Sequence, residues 1–112
     1  MRKYPYKHLV ELRTKLIVEL VLKRKPVRYV EHETAMLVLD VLEALRNKEI
    51  SPKEASRYFV RIEYIIDLKM AKRMSEDFAQ MTAEAMLLDE SVTKYGPDIK
   101  ELKRLSLKVL SR

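Results

Sequence analysis

The residue types best suited to catalysis or metal binding in this sequence are its two histidines, His8 and His32. A di-iron helical bundle needs Glu-x-x-His twice, together with two further inward glutamates. Neither histidine has a glutamate three residues before it, and His32 lies between Glu31 and Glu33 at a predicted helix start, where solvation or capping is the ordinary role. The single glycine, Gly96, excludes a glycine-rich phosphate loop. The sequence therefore predicts no metal site, no cofactor and no catalytic group.

Basic side chains form two groups that suit phosphate contacts. Tyr4, Tyr6 and Tyr29 are interleaved with basic residues, an arrangement that permits stacking on single strands. Contacts of this kind position a nucleic acid without reading its sequence. A solvated, lysine-rich surface explains the same residues, so both interpretations stay open. The candidate nucleic-acid-binding residues are Lys23, Arg24, Lys25 and Arg28 around Pro26, and Lys100, Lys103, Arg104 and Lys108 on the last helix.

Residues 71–95 are apolar on two faces, which suggests an interface. One face has the alternating three- and four-residue spacing of a heptad seam, and the other carries alanines small enough for close helix approach. Both faces together exceed what one short neighbouring helix covers, so the sequence predicts a homo-oligomer, most simply a dimer. The candidate interface residues are Met74, Phe78, Met81, Ala85 and Leu88 on the seam, and Ala79, Ala83 and Met86 on the second face.

These residues must be positioned by helices, because a chain with one glycine can form few left-handed turns. Apolar spacing predicts helices over 6–25 and 30–47, the second of them apolar around more than half of its circumference. Arg13 lies in the apolar half of the first helix, where a salt bridge or a side chain that extends its charged end to water is expected, and a ligand contact is the alternative. Ser51-Pro52-Lys53-Glu54 forms a capping box that starts a third helix. A second box at Asp98–Glu101 predicts a final helix to Leu110.

The segment 52–95 permits two readings. One unbroken helix would be about 66 Å long at about 1.5 Å per residue, and it would need a second copy to cover it. Alternatively the helix breaks near Met74–Ser75, because Lys72-Arg73 resembles a helix end and Ser75-Glu76-Asp77 a capped, acidic start. The break is slightly favoured. The predicted fold class is all-α: a compact four- or five-helix bundle, one domain over 1–112, with a long or broken central helix and oligomeric packing.

Composition adds limits on the function class. The net charge is +6, and cysteine is absent, which is compatible with a reducing compartment. No apolar run approaches the length of a membrane span, so a cytoplasmic protein without a membrane partner is expected. Charged residues make up 36% while Asn and Gln are scarce, which is typical of a thermophilic source.

The predicted function is a homo-oligomeric protein-interaction or assembly module. The alternative is a basic accessory protein binding RNA or DNA through phosphates, and an enzyme with an arginine-lined pocket has no supporting motif.

Overall fold

The computed structural model describes residues 5–70, 74–88 and 96–111. Within these ranges every regular element is an α-helix, as the sequence predicts. None of the helices there contains a stretch long and apolar enough to cross a bilayer. The helices are α1 (Tyr6–Leu22), α2 (Val27–Arg46), α3 (Pro52–Lys69), α4 (Glu76–Met86) and α5 (Gly96–Leu110).

Helix α2 lies at the centre and packs against all four of the other described helices. A helix that is apolar around most of its circumference must be covered from several sides, because each uncovered apolar side chain costs free energy in water. The sequence therefore predicts this central position correctly. The buried apolar residues of α2 are Val30, Ala35, Leu37, Val38, Val41 and Ala44.

Helix α1 runs antiparallel to α2 and is held to it by charged groups as well as by packing. The Arg13 guanidinium donates from Nε to Asp40 Oδ2 at 3.0 Å, and its Nη1 lies 2.5 Å from Glu33 Oε2. The salt bridge predicted for Arg13 is thus confirmed. Near the other end of the pair, the backbone N–H of Lys7 donates to Glu49 Oε1 at 2.8 Å. Since the Arg13 group is mostly buried, it is screened less than a surface ion pair.

Helices α1 and α2 both end in left-handed turns that contain no glycine. The φ angle is 53° at Arg24 and 59° at Lys48. The Lys25 N–H donates to the carbonyl of Leu20 at 3.0 Å, which is the outer bond of a Schellman motif, and an equivalent bond closes the second turn. A side chain in this conformation costs about 1–2 kcal/mol. The scarcity of glycine therefore does not prevent two tight helix–helix turns.

Helix α3 begins at the predicted capping box. The Ser51 Oγ accepts a hydrogen bond from the Glu54 N–H at 3.1 Å, and the Ser51 N–H donates back to Glu54 Oε1 at 3.2 Å. Pro52 occupies the first helical position, where its missing N–H costs nothing. Because these residues satisfy the free donors of the first turn locally, the start of α3 is fixed by sequence alone.

The helix predicted over 52–95 is broken, as the sequence slightly favours. Helix α3 ends at Lys69, and α4 begins at Glu76. Ser75 is the N-cap of α4, because its Oγ accepts from the Phe78 N–H at 3.2 Å. The unbroken helix is therefore wrong, and α4 packs back against α3.

Several predicted helix boundaries differ from the structure: α1 ends at Leu22 instead of residue 25, and α2 begins at Val27 instead of residue 30. Helix α5 already includes Gly96, so it begins two residues before the predicted cap at Asp98, and Gly96 belongs to the last helix instead of ending the previous one. Residues 71–73 and 89–95 of the predicted two-faced segment lie outside the described residues, as does Tyr4.

Most of the predicted heptad seam is core within one chain. Phe78, Met81, Ala85 and Leu88 are buried among residues of the other helices, while Met74 is half-buried at the edge of this core. The periodicity thus identified an apolar face, and the face is covered intramolecularly because the break lets α4 turn back. A contact between copies at these four residues would require the fold to open.

We expect Phe78→Ala to lower the free energy of unfolding by about 3–5 kcal/mol, the usual cost of removing a fully buried phenylalanine. Only 1% of Phe78 is exposed, and its neighbours belong to its own chain. The loss should therefore be the same at low and high protein concentration. Chemical unfolding followed by circular dichroism measures it, with Gln80→Ala as an exposed control on the same helix. A loss that shrinks as the protein is concentrated would show that Phe78 is buried between copies.

Candidate functional site

An apolar groove with a volume of about 550 Å³ lies between α2 and α5. The two helices are antiparallel, so the end of α2 faces the start of α5. Leucines of α2 and two apolar residues of α5 form the floor, and three charged residues form the rim. The lining residues are Leu39, Leu42 and Leu45 with Ile99 and Leu107 on the floor, and Glu43, Arg46 and Lys103 on the rim.

The groove exists because α5 is fastened to the rest of the fold near its other end. Lys108 Nζ lies 3.4 Å from Asp77 Oδ1 at the start of α4, and Val109 is buried beside the start of α2. At the end of the groove where Ile99 lies, no described helix covers its outer side. Leu39 and Leu42 are left half-buried, and Leu107 is 51% exposed. Among the described residues, apolar side chains of the central helix are therefore partly exposed to solvent at this groove.

The rim of the groove carries both signs of charge. Arg46 lies 3.9 Å from Glu43 on the same helix, a loose pair between partly exposed side chains. On the opposite wall Lys103 has no ion-pair partner among the described residues. An acidic and a basic group thus stand on different walls, and both remain accessible to the charges of a bound molecule.

All eight candidate nucleic-acid-binding residues are exposed, but the structure divides them. Lys23 pairs with Glu19 at 2.8 Å, and Lys108 pairs with Asp77. Arg104 donates two hydrogen bonds to Glu101, at 2.5 and 2.9 Å, and the bond from this guanidinium holds the pKa of Glu101 below its ordinary value. The positive charge of the last helix is therefore partly neutralised, and its Lys103 is part of the groove rim.

The basic turn between α1 and α2 is less neutralised. Arg24, Lys25 and Arg28 have no ion-pair partner within the described part of the chain. The adjacent Tyr29 is 55% exposed. Arg28, Tyr29 and His32 border a shallow cavity of about 240 Å³ next to the end of α5. The structure thus brings the first predicted basic group close to the end of the helix that carries the second.

The second predicted face of α4 does lie at the surface. Ala79 and Ala83 are exposed, Met86 is half-buried, and the following Leu87 is 48% exposed. These residues form a small, shallow apolar surface, whereas the buried seam offers nothing to a partner. Of the predicted interface, this face alone is available for a contact between copies.

Sequence reasoning missed both the groove and an exposed apolar row on α3. Val60, Tyr64 and Leu68 project from the side of α3 that faces away from its core residues Phe59 and Ile66. The sequence contains a signal for this row, since a spacing of i, i+4 and i+8 places three apolar side chains along one line of a helix. The signal was obscured because α3 also has a main apolar stripe, and a helix is usually expected to have only one apolar face.

The two histidines lie apart from any cluster of ligands. His8 on α1 and His32 on α2 are both exposed. Among the described residues, no three His, Asp or Glu side chains are grouped so that they could hold a metal ion.

Glu63 on α3 is a carboxylate with one buried oxygen. Its Oε2 has no hydrogen-bond partner among the described residues. Burial is the main cause that raises the pKa of Glu63, and the nearby Asp67 raises it further, while a hydrogen bond with Thr82 of α4 acts in the opposite direction. The protonated form is therefore favoured by the folded state.

We expect Glu63→Gln to be more stable than the wild type at pH 7 and to differ little near pH 4. A raised pKa in the folded state means that this carboxyl contributes stability at low pH, which is lost as the pH rises through the pKa of Glu63. Glutamine stays neutral at every pH, so the variant does not lose this stability as the pH rises. Thermal unfolding between about pH 4 and pH 7 measures the difference. Glu84→Gln on α4 is the control, and an equal gain in both variants would contradict the assignment.

No protein-family model, no curated protein and no solved structure matches the chain.

Proposed function

We propose that this chain is a protein-interaction module whose groove between α2 and α5 receives one amphipathic helix of a partner protein. The observation that carries the proposal is the open groove itself, with an apolar floor formed by leucines of the central helix and a rim of opposite charges. Grooves of this kind bind the apolar face of a helix through anchors spaced three and four residues apart. An apolar surface that stays open to water is otherwise unfavourable.

The dimensions of the groove suit a helix. Its walls run from Leu39 to Arg46 on α2 and from Ile99 to Leu107 on α5, about 10–12 Å each at about 1.5 Å per residue. That length matches two turns of a third helix lying along the trough. The side chains of such a helix would form a ridge between two antiparallel helices, the ordinary geometry of helix packing.

The proposal is tested with a fluorescent reporter in the groove. The chain contains no tryptophan, so Leu107→Trp introduces a single tryptophan at the groove and Leu22→Trp a matched one at an exposed position on α1, the two leucines being 51% and 59% exposed. The probe is a synthetic amphipathic helix with leucines at i, i+4 and i+8. It should cause a saturable blue shift in Leu107→Trp, because the indole loses water when the groove is covered.

The controls decide whether the shift reports the groove. The Leu22→Trp variant should show no shift, and neither variant should respond to the same peptide with its leucines replaced by serine. A shift of equal size in both variants, or a shift in neither, would overturn the proposal.

The basic turn favours a second candidate function, phosphate contacts with a single-stranded nucleic acid. Arg24, Lys25 and Arg28 are exposed beside the exposed ring of Tyr29. Positive charge attracts the backbone, and an aromatic side chain offers a stacking surface to any base. Binding of this kind is non-specific and weakens steeply with salt, by about 0.7 in log K per phosphate on single strands for each unit of log salt concentration.

Titration of a labelled single strand at low and moderate salt tests this second function. Reversing Arg24, Lys25 and Arg28 to Glu should abolish binding. Reversing three exposed bases elsewhere, Lys15→Glu with Lys53→Glu and Arg57→Glu, changes the net charge equally and should weaken it far less. An equal loss in both triple variants, or no binding below about 10 µM at low salt, would contradict this second function and show that the basic residues of the turn are only solvated surface groups.

A further inference from the structure

A row of large apolar side chains on the outer face of α3 is left exposed by the described part of the fold. Val60 is 52% exposed, Tyr64 66% and Leu68 63%. We call these three residues the ridge. They follow one another at intervals of four residues, so they form one continuous row along the helix surface. The ridge lies opposite the buried face of α3, and it therefore cannot reach the groove of its own chain.

The ridge has the length and anchor spacing that the groove accommodates. From Val60 to Leu68 the row covers about 12 Å of helix, equal to the wall formed by Ile99–Leu107. Rows of side chains four residues apart pack into the troughs of a neighbouring helix pair. Tyr64 in the middle adds an amphipathic ring, a residue type that is enriched at the centres of protein interfaces.

The charges that flank the ridge complement the rim of the groove. Arg61 precedes Tyr64 by three residues and Asp67 follows it by three, so they stand about 60° to either side of the ring. Both are exposed. The groove presents Glu43 together with Arg46 on the α2 wall, and Lys103 without an ion-pair partner among the described residues on the α5 wall. One direction of insertion places Asp67 beside Lys103 and Arg61 beside Glu43, while the reverse direction places Arg61 beside Lys103 and is disfavoured because the two charges are alike.

We infer that the ridge of one copy of this chain docks in the groove of a second copy, with α3 inserted in a single direction. The inference rests on the proposed function, because it names the helix that the groove receives. Ridge and groove are different surfaces, so the contact is head-to-tail: an open assembly keeps one free ridge at one end and one free groove at the other until a ring closes. The contact is small, and association is therefore weak and concentration-dependent.

The test is sedimentation velocity between about 10 µM and 1 mM, where weak contacts of this size become populated. The ridge variant is Tyr64→Asp and the groove variant is Leu107→Asp. The matched control is Leu22→Asp, which puts the same charge on an exposed leucine of α1. Circular dichroism confirms that each variant folds, and Leu68→Ser replaces the ridge variant if Tyr64→Asp does not.

The wild type and the control should sediment faster as concentration rises, while the ridge and groove variants should each stay monomeric. An equimolar mixture of the two variants should form dimers and nothing larger. Only the groove variant has an intact ridge, and only the ridge variant has an intact groove, so each copy can make one contact. A monomeric mixture, association of the ridge variant alone, or a wild type that stays monomeric would overturn the inference.

Failure of this inference is distinguishable from failure of the proposed function. If the wild type stays monomeric and the synthetic leucine helix still shifts the emission of Leu107→Trp, the groove binds a helix of another protein and the second copy is excluded. If neither is observed, both are wrong.

Discussion

The hydrogen bond between Glu31 and the backbone of Ser75 determines how the second half of the chain folds onto the first. Glu31 is an acid buried in the central helix, and its Oε2 accepts from the Ser75 N–H at 2.6 Å. A buried carboxylate without such a donor would be strongly destabilising. Ser75 in turn caps α4 through the Phe78 N–H. Ser75 thus starts α4 and ties that start to α2, an arrangement that one continuous helix over 52–95 would not allow.

The two surfaces that carry the functional argument follow from this constraint. Because α4 turns back along α3, it meets the last turn of α5 through Asp77 and Lys108 and holds that end against the start of α2. The start of α5 then lies along the end of α2 with nothing described over the trough. Helix α3 is flanked by α1 and α4, and no other described helix covers its outer side. Groove and ridge are therefore consequences of one topology, located on different sides of the molecule.

Local signals in the sequence predicted the helical class, the capping box at Ser51, the break at Ser75 and the central position of α2. Each depends on residues close in the chain or on the apolar circumference of one helix. Periodicity cannot say which neighbour covers an apolar face, so Phe78 and Met81 were assigned to a partner although the chain buries them itself. The same limit concealed the groove, whose walls come from α2 and α5, and the row at Val60, Tyr64 and Leu68, which lies outside the main stripe. The exposure of the basic residues was predictable, but the pairing of Lys108 with Asp77 depends on tertiary contacts.

Isotope-filtered nuclear Overhauser spectroscopy on an equal mixture of labelled and unlabelled chains tests the head-to-tail contact most directly, since it detects only protons that are in contact between copies. A head-to-tail contact gives cross-peaks between the ring of Tyr64 in one copy and the methyl groups of Leu42 and Leu107 in the other. Cross-peaks between ridge residues of both copies would instead show a symmetric contact, and cross-peaks confined to Ala79 and Ala83 would place the interface on α4; either result would contradict the account.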